Sequence, residues 1–378
     1  VVEKGEGEVI RSYHLAMGWN WISANVADQR LDDVVALLEP IKESVVAIKG
    51  QSGELTKDDQ GNWQGDLSLL HPTRSYKIEM LQDDDLELKG KPVLPADATI
   101  TLNKGWNWIG YISAEEVSVE SVLQNLTAEE NDVIKGLDCF TVYNGTTWAG
   151  SLTHLVPGEG YMYYSQSVKS FNYVEPETED VTPDAFSPQW KYDARQYADN
   201  MTVLARLYNG EQQVEADKYL IGAFSGNECR GVAVEKEGHI FLTVHGEQTG
   251  EQISLRAFDV VSGKEYMIKE ELDFSSDVMK GSYASPESLH LGDPTGIHNI
   301  GTGMFIYPNP VRDRLYVRGE VDNIEDIRVV STAGQTCIVT DRLSAEEGID
   351  VSSLSKGIYF IVVKSVTDEI RQKFIKIE

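Results

Sequence analysis

Gly18-Trp19-Asn20-Trp21-Ile22 recurs further along the chain as Gly105-Trp106-Asn107-Trp108-Ile109. The match continues beyond these five residues. Ile48-Lys49-Gly50 returns as Ile134-Lys135-Gly136, and Trp63, Gly65, Leu67, Leu70, Pro72 and Tyr76 answer in order to Trp148, Gly150, Leu152, Leu155, Pro157 and Tyr161. Ordered matches at a near-constant spacing mark an internal repeat, and a repeat decides the architecture before any single element is read. After each GWNWI segment, apolar residues fall at helical spacing: Leu31, Val34, Val35 and Leu38, then Val119, Val122, Leu123 and Leu126. Tyr76-Lys77-Ile78-Glu79-Met80 and Tyr161-Met162-Tyr163-Tyr164 read as closing strands. The expectation is two tandem small α+β modules, at 9–82 and 97–170. Residues 81–96, with Asp83-Asp84-Asp85, Pro92 and Pro95, read as the connection between them.

Downstream the composition changes. Glu175-Pro176-Glu177-Thr178-Glu179-Asp180-Val181-Thr182-Pro183 offers nothing to bury, so 171–186 reads as an acidic linker. From Met201 to about Ile268, short β-rich runs alternate with NG, SGN, EG and SG turn dipeptides, which predicts an all-β sandwich over 187–291. A Gly-rich stretch around 292–303 then leads into a last set of short strands at 300–378, long enough for a small Ig-like, seven-stranded β-sandwich. A multidomain chain is also what length demands, since 378 residues exceed the ~250–300 at which single cores stop growing.

Charge and cysteine usage exclude several classes. A formal charge of −28 repels the phosphate backbone, so no nucleic-acid partner is expected, and no apolar run reaches the ~18 residues of a membrane span, so no membrane insertion is expected. Cys139, Cys229 and Cys337 show neither zinc-site nor disulfide-scaffold spacing. The opening residues VVEKGEGEVI lack an initiator Met and an apolar signal core, and read as a processed form from which a targeting peptide is gone.

The C-terminal strands carry a family resemblance. Tyr307-Pro308-Asn309-Pro310-Val311, Asp313 and Leu315, Ser331-Thr332-Ala333-Gly334, Ile349-Asp350-Val351, Lys356-Gly357-Ile358-Tyr359 and Lys373-Phe374-Ile375-Lys376 follow one another in an order that resembles the type A sorting domain of the type IX (Por) secretion system of the Bacteroidetes. The resemblance implies a passenger moved from the periplasm across the outer membrane by the type IX machinery, then released or held at the surface. It implies sorting-motif roles for Pro308, Asn309, Pro310, Gly334, Lys356, Gly357, Tyr359 and Lys373. The prolines suit a stiff start to the domain, and the glycines suit tight turns. The Glu228-Cys229-Arg230-Gly231-Val232-Ala233 region is similar to a β-domain that precedes such sorting signals.

Catalytic patterns are scarce. The histidines form no HExxH pair, and there is no G-x-S-x-G elbow, Walker loop or dinucleotide fingerprint. His239 and His245 fall on one face of a strand and read as hydrogen-bonded or solvated, and Asp83-Asp84-Asp85 lacks the alternation of a calcium loop. Cys229 beside Arg230 is weighed as a nucleophile against a plain buried thiol, and the plain reading is preferred. No cofactor and no metal are expected. Trp19 and Trp21, like Trp106 and Trp108, project to one face of a strand. They suit either a module core or an aromatic platform for sugar rings, with the core preferred. Tyr161, Tyr163 and Tyr164 are the tyrosines expected to show partial exposure, with Tyr161 and Tyr163 as candidate ligand contacts. The combined expectation is a non-catalytic, modular, secreted or surface protein of adhesin type, with a host or microbial glycan or protein as ligand. Its rivals are the accessory C-terminal part of a secreted hydrolase and a structural stalk.

Overall fold

The computed structural model describes residues 7–174, 190–259 and 264–296, and within the C-terminal region 305–307, 311–318, 324–331, 335–340, 348–365 and 369–377. It is 54% strand and 8% helix, which makes this a mostly β chain of several sheets instead of an α+β one. Both expected helices are present, but as single turns. Val34–Leu38 is capped by the Asp33 side chain and Val119–Val122 by the Ser118 side chain. In the first, Pro40 and a 3-10 turn at Glu39–Ile41 end the run immediately.

Two five-stranded antiparallel sheets follow one another. The first has the order Gly18–Ser23, Ser75–Met80, Val45–Lys49, Glu54–Lys57, Trp63–Gly65. The second runs Gly105–Gly110, Gly160–Ser165, Val133–Lys135, Phe140–Tyr143, Trp148–Gly150. The GWNW motif acts the same way in both. Gly18 and Gly105 take φ +89° and +95° to enter the strand, where a side chain is disfavoured. Asn20 turns back to accept from Ala16 N and donate to Ala16 O, and Asn107 does the same with Asn103. Asparagine thus fastens the turn before each strand while Ile22 and Ile109 enter the two separate cores.

Residues 81–96 are not a loose connection. Asp84–Pro92 is a strand pairing with Val9–Leu15 and Val26–Asp28, and its alternate residues Leu86 and Leu88 are buried in the first core. The acidic run hides that alternation at its start. Each aspartate is engaged: Asp83 accepts from Met17 N, Asp84 from Ser44 and Asp85 meets His14. The expected linker start at 171 also shifts, because Phe171 and Tyr173 sit in the second core. The acidic Pro/Thr run itself lies outside the described residues.

Asp28 joins this first assembly together. It accepts from Arg30 N, the Arg30 guanidinium and Lys89 N, and it is buried. Burial opposes its ionisation, yet the Arg30 guanidinium and the two backbone N–H groups outweigh burial and hold its pKa at about 2. The folded value lies below the unfolded one, so the stabilisation is present above about pH 4 and is lost as pH falls toward 2. Urea melts of the wild type and Asp28→Asn are expected to converge by about 2 kcal/mol over that interval. A constant difference between them would contradict this assignment.

Residues 199–296 form one ten-stranded sheet whose halves pack face to face around Met201, Val203, Ile221, Leu242, Leu255 and Ile268. Its last strand, Glu287–Gly296, pairs with Asp199–Asn209 and Glu265–Asp273, so the expected boundary at 291 moves to 296 or later. The strand His239–Gly246 is buried on both faces. Ile240, Leu242 and Val244 enter the sheet's own core, while Phe241 packs with Val133, Phe140 and Val142 of the second five-stranded sheet. In the C-terminal region the described strands form a three-stranded and a four-stranded sheet around Leu315, Ile327, Val329, Ile361, Val363 and Phe374.

Candidate functional site

The four paired tryptophans stand on the outer face of their sheets, away from the module cores where they are expected. Trp19 and Trp21 are buried, whereas Trp106 and Trp108 are half-buried. They converge where the two five-stranded sheets and the ten-stranded sheet meet. Strand alternation explains this: with Asn20 and Ile22 on one face, Trp19 and Trp21 must take the other, and that face is covered by neighbouring sheets. Trp63 and Trp148, the third pair, pack at the edges of the cores.

Lysines fill the spaces between the rings. Lys77 Nζ lies 4.3 Å from the Trp21 ring and 4.7 Å from Trp108, and Lys135 Nζ lies 4.6 Å from Trp106. Cations over desolvated indoles are worth up to about 2 kcal/mol. Both lysines are buried and each is paired across the junction, Lys77 to Asp199 at 2.7 Å and Lys135 to Asp277 at 2.7 Å. Burial pulls the pKa of Lys135 down to about 8 against the opposing pull of Asp277. Burial also works against the carboxyl of Asp199, but Lys77 more than compensates and leaves its pKa below the ordinary value.

The two five-stranded sheets meet at the ends of corresponding strands. Ser23 and Ser75, paired across the first sheet, face Gly110 and Gly160, paired across the second. A Cβ on Gly110 would stand 2.1 Å from Pro72 O, and one on Gly160 2.7 Å from Ile22 O. Ser23 Oγ donates to Glu159 O and accepts from Tyr111 N, and Ser75 Oγ donates to Tyr161 O.

A cleft opens on each side of this seam. The first, about 990 Å³, is lined by Asn20, Trp21, Leu137, Asp138, Gly158 and Glu159 together with Tyr192–Arg195. The chain's own segment runs along it: Ala198 O accepts from Trp21 Nε1, and Arg195 O lies 2.4 Å from where a Cβ on Gly18 would be. The second cleft, about 720 Å³, is lined by Gly50, Gln51, Asp66, His71, Arg74, Asn103 and Trp108. Among the described residues, no atom lies within 4 Å of a Cβ on Gly105. Gln51 shapes the wall by accepting from Trp108 N and donating to Trp106 O.

Of the tyrosines expected to be partly exposed, Tyr164 is half-buried and the other two are not exposed. Tyr161 and Tyr163 are fully buried in the second core. Tyr161 OH accepts from Val156 N, as Tyr76 OH accepts from His71 N in the first sheet, and Tyr163 OH donates to Asp132. These are structural anchors, and no platform for a ligand can be made from them. His239 stacks on Tyr283, and His245 contacts Asp138 at 2.8 Å. Cys229 is buried with its thiol pushed up by burial, and Arg230 is engaged by Glu251, so the thiol is not activated. Among the described residues no His, Cys, Asp and Glu cluster suits a metal ion.

Of the sorting-motif residues, Pro308, Asn309, Pro310 and Gly334 lie outside the described residues. Lys356 is exposed, Gly357 opens the strand to Ser365, and Lys373 pairs with Phe360 on the closing strand. Tyr359 stacks on Phe374 and donates to Ser355 O.

Residues 305–378 match the family model of the secretion system C-terminal sorting domain. The match carries export through the type IX secretion machinery and a secreted or cell-surface location in the Bacteroidetes. No curated protein matches the chain. No helix among the described residues is long and apolar enough to cross a membrane.

Proposed function

We propose that the exported chain is a non-catalytic binding protein of adhesin type, made of two copies of one β-rich module set against a β-sandwich, with the Trp108 cleft as its ligand groove. One contrast carries the reading. Gly18 and Gly105 hold the same backbone conformation at the head of corresponding strands, yet the chain's own backbone covers the first and open space faces the second. The cleft beside Trp21 receives the chain's own segment Tyr192–Ala198, which makes a 3-10 turn at Ala194–Gln196 and whose Ala198 carbonyl meets the indole. Its counterpart beside Trp108 offers the corresponding indole with Gln51, Asp66, Asn103, His71 and Arg74 around it. A groove of this form suits an extended polypeptide held by main-chain hydrogen bonds beside an aromatic floor.

The test is binding of the whole chain to peptide and glycan arrays, with Trp108→Ala as the variant. Trp108→Ala is expected to abolish peptide binding while changing stability by about 1 kcal/mol, as befits a ring that is only partly buried. Loss of glycan binding alone would assign the groove to sugar instead. Unchanged binding in Trp108→Ala would remove the groove from the ligand site.

A further inference from the structure

Behind the clefts, Lys135, Asn200 and Asp277 come together from three separate parts of the chain. Lys135 ends a strand of the second five-stranded sheet, Asn200 lies on the first strand of the ten-stranded sheet, and Asp277 precedes the short strand Met279–Lys280. Lys135 and Asn200 are fully buried. Lys135 Nζ lies 2.8 Å from Asn200 Oδ1 and 2.7 Å from Asp277 Oδ1. The amide cannot turn freely, because Asn200 Nδ2 donates to Leu137 O at 2.7 Å and to Gly136 O at 3.2 Å, which leaves its carbonyl facing the lysine.

Asp277 is held as firmly. It is one of three described non-glycine residues with positive φ, at +62°. Its N–H donates to Asn200 O at 3.0 Å and its carbonyl accepts from Trp106 Nε1 at 2.8 Å. A non-glycine residue kept in that region costs free energy, and such strain gathers where a side chain must be aimed. Here it aims a carboxylate at a buried amine beside an amide carbon, with Trp106 and Trp21 rings 4.6 Å and 5.8 Å from Nζ. Lys77 and Asp199 are the nearby charges, already paired with each other.

We propose that Lys135 and Asn200 join in an intramolecular isopeptide bond, with Asp277 as the proton carrier. The neutral Nζ attacks Asn200 Cγ. Asp277 takes a proton from Nζ and passes it to Nδ2, the Cγ–Nδ2 bond breaks, and ammonia leaves. An amine and a primary amide become a secondary amide and ammonia, so atoms and electrons balance with no oxidant, metal or cofactor. Rotation about Cε–Nζ brings the nitrogen lone pair onto Cγ, and the Gly136 and Leu137 carbonyls hold the leaving nitrogen. The depressed basicity of Lys135 supplies the neutral amine near pH 8. The bond ties the second five-stranded sheet covalently to the ten-stranded sheet and closes a 65-residue loop.

Intact mass of the purified 378-residue chain after incubation at pH 8 tests this directly. The wild type is expected about 17 Da below its sequence mass, and a digest is expected to yield one branched peptide joining Lys135 to Asn200. Asn200→Asp is expected to lose about 18 Da instead, as water replaces ammonia. Lys135→Arg and Asp277→Ala are expected to keep their full mass while circular dichroism reports a β-rich fold. A folded wild type that keeps its full mass, or a mass loss traced to another site, overturns the proposal. A full mass deficit in folded Asp277→Ala overturns the role of that carboxylate.

Discussion

Replacing Trp21 with alanine is expected to lower the stability of the folded chain by about 3–5 kcal/mol. Its ring is buried at the junction, donates to Ala198 O and lies against Lys77. Removal leaves a cavity that three sheets border, so collapse to fill it needs several rigid elements to move at once. It also takes the nearer of two aromatic faces from a buried ammonium, whose compensation then rests on Asp199 and Trp108. Trp108 is the matched control, since it occupies the corresponding strand position only partly buried, beside an open cleft. Chemical denaturation of Trp21→Ala, Trp108→Ala and wild type reads the difference. Equal losses for the two variants would mean that sequence equivalence, and not the covering segment 192–198, sets the environment of these rings.

Gly110→Ala is expected to cost about 3 kcal/mol. The new methyl group would meet Pro72 O at 2.1 Å and Arg74 O at 2.8 Å, both backbone atoms of the turn that leads into the facing strand Ser75–Met80. Backbone carbonyls of a turn anchored directly to that strand cannot swing aside as a flexible side chain does, so the seam itself must open. Gly136→Ala serves as the comparison, because a Cβ there meets its nearest neighbours at an ordinary 3.5 Å, and its cost is expected within about 0.5 kcal/mol. A Gly110→Ala protein that melts with the wild type would show that the two sheets are not pressed together as described.

Much of the β framework was legible in the residues. The GWNWI pair, the Ile-Lys-Gly pair and the Tyr76 and Tyr161 positions each fall at corresponding places in the two five-stranded sheets. The helical spacing after each was real but described only one turn, because spacing reports which residues face a core and not how long a segment stays helical. What the pattern could not reveal was burial by a neighbour. Alternation separates a core face from its opposite, and it is silent on whether the opposite face meets water or another sheet. Nothing in the pattern therefore marks Lys77, Lys135 and Asn200 as buried, although all three are. Tyr161 and Tyr163 erred in the other direction. Their hydroxyls suggested a wet rim, yet Val156 N and Asp132 satisfy those groups inside. The acidic start of Asp84–Pro92 masked a strand for a related reason: charges that cap neighbouring turns look, in a string of letters, like charges that dissolve a linker.

The seam between Ser23 with Ser75 and Gly110 with Gly160 brings corresponding strand ends of two sheets against each other. A head-to-head contact consumes the same surface on both participants and leaves no second copy of that surface for another. An array built head to tail can lengthen by one unit at a time, whereas this arrangement is complete at two. Copying the segment once more within the gene would add a unit with no such strand ends left to receive it, so growth would have to proceed by whole pairs.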